Sequence, residues 1–279
     1  MNSKISVFGS TGFIGSEFCK KYKKDIIEIE KNDFFPKSDT LLYLISTVDN
    51  YNIFTSSTLD IDTNLIYLMK VLENCKNKNI KFNFISSWYV YGNVDLPARE
   101  DSNCNPKGFY SITKYAAEML VESFCNTFNI DYTIIRLGNV IGGRDKKASK
   151  KKNAFHFLLN ELKNNSEISL YNDGKFYRDF ISINDTVEGL NFLIKNGENK
   201  QIYNLSTGVP VLFCDAINYA YKKLKSTSNI KNMEPTNFHK IVQTESMHLD
   251  ISKIRKLGFL PKENIQQIID NLISDFNLN

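Results

Sequence analysis

Lys4-Ile5-Ser6-Val7-Phe8-Gly9-Ser10-Thr11-Gly12-Phe13-Ile14-Gly15 reads as a short apolar strand, a glycine-rich turn and the start of a helix. The glycines fall three apart. The first allows a tight turn, the second lets a pyrophosphate approach the main chain, and the third lets helix and strand pack closely. Free N–H groups at the helix N-terminus would then face the phosphates. Three glycines at this spacing also occur in ordinary turns. Their place in the first strand–helix crossing of the chain is what points to a dinucleotide.

The pattern continues outward from that turn. Ile26–Glu30, Thr40–Ser46, Phe82–Ser86 and Tyr132–Leu137 read as strands, and Leu59–Asn74 and Tyr110–Asn126 as helices between the last three. Such alternation predicts a parallel sheet covered on both faces. Leu65, Leu68, Met69 and Leu72 form one apolar stripe, and Ala116, Ala117, Leu120, Val121 and Phe124 another; both read as core. The small Ala116-Ala117 pair also permits close approach of a second helix, hence a homodimer contact. After Gly142-Gly143 the alternation loosens into helix Phe155–Lys163, strand Ile168–Tyr171, turn Asn172-Asp173-Gly174, strand Phe180–Ile183, helix Thr186–Lys195 and strand Ile202–Leu205. The remainder reads as mostly helical, ending with Asn264–Phe276. The plan is an α/β, Rossmann-type doubly wound parallel sheet over 1–143, also using about 178–208, with a smaller mixed α/β C-terminal substrate lobe over 144–279.

Composition narrows the class. The 279 residues are 42% hydrophobic and 24% charged, with net charge +4, ordinary values for a globular protein. The basic residues are nearly all lysine, and Arg99, Arg136, Arg144, Arg178 and Arg255 are scattered, which argues against a nucleic-acid surface. The run Lys146-Lys147 and Lys150-Lys151-Lys152 reads as a solvated loop. Cys19, Cys75, Cys104, Cys125 and Cys214 are odd in number without CxxC spacing, and His156, His239 and His248 show no ligand spacing with them, so no disulfide framework or metal site is expected. No apolar run approaches about 18 residues and no signal peptide is visible. The expectation is a reduced, cytoplasmic chain without membrane contact.

Tyr110-Ser111-Ile112-Thr113-Lys114 places a tyrosine and a lysine four apart on one helical face. Tyr171…Lys175, Tyr219…Lys223 and Tyr221…Lys225 repeat the spacing, but only Tyr110 opens a helix after a parallel strand ending in Ser86-Ser87. Only it should reach the sheet's C-terminal edge. Bringing a phenol of pKa about 10 toward 7 takes about 4 kcal/mol, which the Lys114 ammonium and a positive nicotinamide could supply. Ser87 would hydrogen-bond a substrate oxygen while Tyr110 takes or returns its proton.

Taken with Ser86-Ser87-Trp88-Tyr89-Val90-Tyr91-Gly92, Arg136-Leu137-Gly138-Asn139-Val140-Ile141-Gly142, Asp173-Gly174-Lys175, Arg178-Asp179-Phe180-Ile181-Ser182-Ile183-Asn184-Asp185 and Tyr203-Asn204-Leu205-Ser206-Thr207-Gly208, the chain resembles the extended short-chain dehydrogenase/reductases, the nucleotide-sugar epimerase/dehydratase family, over essentially its whole length. The resemblance implies NAD held by Gly9, Thr11, Gly12, Phe13, Ile14, Gly15, Glu30, Leu44, Ser46, Tyr110 and Lys114. It implies Ser87, Tyr110 and Lys114 as the catalytic set. A nucleotide-diphosphate sugar would lie against Ser87, Trp88, Tyr89, Asn139, Asn153 and Arg178, the last offering two parallel hydrogen bonds to phosphate. Asn64, Asp179 and Asp185 are read as architectural.

The departures from that family are informative. Glu30 matches the acid that binds ribose hydroxyls and repels a 2′-phosphate, favouring NAD over NADP although Lys31 adjoins it. Between Glu30 and Thr40 there is no room for the usual third strand or its adenine-binding loop, leaving the adenine pocket open or rebuilt by Phe34 and Phe35. Trp88 and Tyr89 stand where family 4,6-dehydratases carry an Asp-Glu pair, and Trp88 where 3,5-epimerases carry a cysteine. What survives is hydride transfer at C4, by a 4-dehydrogenase or 4-ketoreductase. The rivals are a 4-epimerase, which must turn a keto sugar over beside bulky Trp88, and a non-catalytic dinucleotide sensor, which would need none of the three catalytic residues.

Overall fold

The computed structural model describes residues 4–142, 153–242 and 246–277. Gly143, Arg144 and the lysine run Lys146, Lys147, Lys150, Lys151 and Lys152 lie outside the described residues, as does the junction at 143/144. The first half runs β1 (Ile5–Phe8), α1 (Phe13–Lys21), β2 (Ile26–Ile29), β3 (Thr40–Tyr43), α2 (Leu59–Ile61), α3 (Tyr67–Glu73), β4 (Lys81–Ser87), α4 (Phe109–Thr127), β5 (Asp131–Leu137) and β6 (Asn139–Ile141). The second runs α5 (Ala154–Lys163), β7 (Ile168–Tyr171), β8 (Tyr177–Arg178), β9 (Phe180–Ser182), α6 (Ile183–Asn196), β10 (Gln201–Leu205), β11 (Val211–Leu212), α7 (Phe213–Leu224), β12 (Ile230–Met233), α8 (Asn237–Val242), α9 (Ser252–Lys256) and α10 (Ile265–Asn277).

Six strands form one parallel sheet in the order β10-β5-β4-β3-β1-β2. Successive side chains point to opposite faces, and β3 shows the consequence. Leu41 and Tyr43 enter the core with Phe82, Phe84, Leu68, Leu72 and Val121, while Leu42 enters the opposite core with Val7, Ile85, Ile135 and Leu190. Burial on both faces is why these strands read as continuous apolar runs. Among the described residues no strand extends the sheet beyond β2, as the short Glu30–Thr40 interval required. Phe34 turns onto Tyr67, with ring centroids 4.7 Å apart, and Phe35 is exposed.

Several expectations are corrected. The helix expected over Leu59–Asn74 is interrupted by a π-helical turn, Asp62–Ile66, which carries the inward-facing Asn64. Leu120 lies on the open side of α4 with Met119, whereas Ala117, Val121 and Phe124 are buried. The strand expected to reach Ser46 ends at Tyr43, although Leu44 N–H still bonds Phe8 carbonyl at 2.9 Å. The C-terminal region is less helical than its sequence suggested. β12 pairs with β7, β11 with β8 and β6 with β9, and all four residues of β12 are exposed, so no apolar period marks it.

A third core joins Phe155, Leu159, Leu170, Phe213, Ile217, Ile269 and Leu272 from α5, β7, α7 and α10. Tyr219 and Lys223 both engage Asp270, linking α7 to α10, a structural use of one of the repeated Tyr…Lys spacings. Met247, Leu249, Ile251, Ile254 and Phe259, late in the chain, pack back into the core of the large sheet.

Candidate active site

Gly9 takes φ 87° and Gly12 N–H closes the turn on Gly9 carbonyl at 3.1 Å. A Cβ at Gly15 would lie 2.1 Å from Gly9 oxygen, so the third glycine does let helix and strand pack. Gly12 is exposed and caps α1 with no side-chain hydrogen bond. The first N–H groups of α1 therefore lack a side-chain cap and lie beside bare backbone, a cradle that fits a diphosphate. Thr11 is exposed beside it, and Phe13 and Ile14 are half-buried. Glu30 stands exposed just past β2, next to the end of β1 through the β1–β2 register.

Ser46 and Leu44 follow β3 along the same sheet edge. Ser46 hydroxyl and Thr47 N–H donate to Asn64 Oδ1 at 3.0 and 2.9 Å, and Asn64 Nδ2 donates to Thr47 and Thr113 hydroxyl oxygens at 2.8 and 2.9 Å. Thr113 precedes Lys114 on α4, so Asn64 ties this loop to the helix that carries Tyr110 and Lys114. The π-helical turn that breaks the expected helix is the device that brings Asn64 there.

Ser87 ends β4 and Tyr110 is the second residue of α4. Burial pushes the Tyr110 phenol up to about 12, opposed by a side-chain hydrogen bond with Ser87. Lys114 Nζ donates to Ile85 carbonyl at 2.5 Å and lies 4.2 Å from the centre of the Phe84 ring; burial lowers its pKa to about 7. The expected depression of Tyr110 by Lys114 is thus absent from the polypeptide's own field, because desolvation dominates both groups. The chain alone holds Tyr110 as an acid.

Trp88 and Tyr89 stack with centroids 4.0 Å apart, and Tyr89 meets Tyr110 edge-on at 5.9 Å. Trp88 is only 3% exposed and belongs to the sheet's core, whereas Tyr89 is half-buried. The half-buried Arg178 guanidinium lies 5.5 Å from the Trp88 ring centre and 4.5 Å from that of Phe176. Asn139 Nδ2 donates to Asp179 carbonyl at 2.9 Å, which anchors β6 beside β9. Asn153 caps α5 in a left-handed conformation, φ 51°, and its amide donates to Val140 carbonyl at 3.4 Å.

Asp179 accepts N–H bonds from Thr207, Gly208 and Leu249, each 3.1 Å long. Asp185 accepts from Lys262 and Glu263 N–H at 3.0 and 2.9 Å. Both carboxylates join separate chain segments, the architectural use read from the sequence. Two neighbours of the site went unread. Asn50 Oδ1 accepts Tyr110 N–H, and Tyr51 hydroxyl pairs with His239 Nδ1 at 3.1 Å. The available signal was position: both asparagine and tyrosine follow a parallel strand at its C-terminal edge.

This constellation defines an NAD-using enzyme of the extended short-chain dehydrogenase type, and the comparisons agree. The NAD dependent epimerase/dehydratase family matches residues 30–206, and the chain belongs to it. The glycine turn lies ahead of the matched stretch. A putative UDP-glucose 4-epimerase of Methanocaldococcus jannaschii is 25% identical, covering 97% of each chain. The UDP-glucose 4-epimerase of Thermotoga maritima, solved with UDP-glucose, superposes with a TM-score of 0.89 at 20% identity over 99% of each chain. RMD of Pseudomonas aeruginosa, solved with NADPH, gives 0.87 at 19% over 99% of each. At such identities these two structures speak for the fold. Among the described residues no helix is long and apolar enough to cross a membrane.

Proposed function

We propose that this enzyme moves a hydride between NAD and C4 of a nucleotide-diphosphate sugar, as a 4-dehydrogenase or 4-ketoreductase. The observation that carries the reading is the Tyr110 phenol beside the Ser87 hydroxyl at the sheet's C-terminal edge, with Lys114 one helical turn behind. Bound NAD supplies the hydride acceptor or donor. Its diphosphate would rest on Gly9, Gly12 and Gly15 with Thr11, Phe13 and Ile14 around it, its ribose hydroxyls on Glu30, and its nicotinamide half near Leu44, Ser46 and Lys114. Ser87 orients the sugar oxygen, and Tyr110 gives or takes its proton. A phenol held protonated by its surroundings supports the reductive direction, in which it protonates the new alkoxide. Asn139, Asn153 and Arg178 would hold the diphosphate side of the substrate.

Tyr110→Phe tests this directly, because it deletes the transferable proton alone. Turnover should fall by at least about a hundredfold while nucleotide-sugar binding persists. Near wild-type turnover would remove Tyr110 from the chemistry and favour the dinucleotide sensor.

One observation favours a second reading, a 4-epimerase. Trp88 packs into the core rather than standing free in the cleft, which weakens the steric case against turning a keto sugar over. Candidate nucleotide sugars incubated with enzyme and catalytic NAD separate the two. C4 inversion over many turnovers, followed by NMR with no net NADH, establishes the epimerase, whereas stoichiometric change of cofactor establishes the oxidoreductase.

The same reading makes the protein a cytoplasmic homodimer of carbohydrate biosynthesis. Cys19, Cys75 and Cys125 are free and buried, which suits a reducing compartment. Phe109, Ile112, Met119 and Leu120 on α4, with Leu59, Ile61 and Ile66 before α3, expose apolar surface suited to a second copy. Light scattering should report a dimer, and Ile112→Lys with Met119→Lys should yield monomer.

A further inference from the structure

Trp88 occupies a position where the family's dehydratases and 3,5-epimerases carry chemistry, and here it can carry none. Its surroundings give it another use. Phe176, Arg178, Trp88, Tyr89 and Tyr110 form a continuous column, with the guanidinium 4.5 Å from the Phe176 centre and 5.5 Å from the Trp88 centre. Trp88 and Tyr89 lie 4.0 Å apart at 26°, and Tyr89 touches Tyr110 edge-on. The column joins the side chain that would hold phosphate to the one that would move a proton.

We propose that Trp88 is a positioning residue for Arg178, its indole holding the guanidinium where the substrate's diphosphate binds; the inference rests on the function proposed above. An arginine side chain is long and rotamer-rich, so a binding guanidinium gains from being ordered beforehand. Indole is the strongest π partner for a cation, and more so where water is excluded. A cation–π contact orders the guanidinium while its N–H groups remain the donors that a phosphate needs. Nη1 already donates to Tyr177 carbonyl at 2.8 Å.

The experiment titrates UDP, dTDP, GDP and ADP by calorimetry into protein saturated with NAD and continues with whichever binds. Trp88→Leu should weaken that binding about tenfold and Trp88→Phe no more than about threefold. In an Arg178→Ala background, Trp88→Leu should change affinity by less than about twofold. Additive losses, or equal losses for Leu and Phe, overturn the assignment. If none of the four binds wild-type protein, the function proposed above fails and this assignment with it. Trp88 is the only tryptophan of the chain, so its fluorescence gives a reading that needs no Trp88 variant to fold. Arg178→Ala should alter the emission of the unliganded protein, and spectra coincident with wild type overturn the contact.

Discussion

Asn50 Oδ1 accepts the backbone N–H of Tyr110 at 3.1 Å, tying the segment after β3 to the first turn of α4. Gly108, the N-cap, has no side chain to do this, and a Cβ there would lie 2.0 Å from the same Asn50 oxygen. The cap is supplied from elsewhere in the chain, and it fixes the residue that carries the phenol. Asn50→Ala should cost about 1 kcal/mol of stability, as lost caps do. It should also lower kcat about tenfold with little change in NAD affinity, since the phenol loses its placement. Thermal unfolding and steady-state kinetics check both, and an unaltered kcat would reduce Asn50 to a helix cap.

Cofactor choice follows from Glu30, exposed one residue beyond β2. NAD(H) should bind at least about tenfold tighter than NADP(H), some 1.4 kcal/mol. Equal affinities by calorimetry would contradict that role. Gly12→Val should abolish NAD binding in a folded protein, because the added side chain projects from the exposed cradle.

Lys114 makes stability depend on pH. Its ordinary value of 10.5 is lowered to about 7 by burial. Below 7 the lysine is protonated in both states and the folded state bears the full penalty of a buried charge. Between 7 and 10.5 the unfolded chain holds more protons, so stability from this group rises with pH, by at most about 1.4 kcal/mol per unit. Above 10.5 the contribution is level. Lys114→Met should flatten this part of the profile for cofactor-free protein. Melting temperatures from pH 6 to 10 should therefore climb less steeply in the variant, and parallel curves would refute the assignment.

Arg136 and Glu118 join β5 to α4 through Nη2–Oε2 at 2.7 Å, both side chains 4% exposed. The guanidinium also faces the Tyr91 ring at 4.7 Å and donates to Glu100 carbonyl. Removing one partner leaves a buried charge uncompensated, so Glu118→Ala should cost about 3–5 kcal/mol. Chemical denaturation measures it. Replacing both residues by well-packed apolar ones should cost far less.

The sheet and its first turn were legible because their causes are local. Two-sided burial writes itself as apolar runs such as Ile5–Phe8 and Phe82–Ser86, and close packing of α1 on β1 needs Gly15, where a Cβ would lie 2.1 Å from Gly9 oxygen. The absent third strand was legible as a short interval between Glu30 and Thr40. Order along the chain set Tyr110…Lys114 apart from three identical spacings, since only that pair opens a helix after a strand of the large parallel sheet.

Other features depend on partners far away in sequence, and only tertiary structure decided them. The π-helical turn serves Asn64, whose bonds go to Thr47 and Thr113. Strand β12 exists because β7 offers it an edge, not because Lys231 and Asn232 favour a sheet. Beside Ser87, Trp88 reads equally as a wall of the cleft or as a core aromatic, and only the fold decides, packing it into the core against Arg178, ninety residues on. Protonation was illegible for the same reason. Four residues of spacing suggest that Lys114, with a positive nicotinamide, lowers the Tyr110 pKa; in the chain by itself the fold buries both groups, and desolvation, a property of the surrounding volume, outweighs their spacing along the helix.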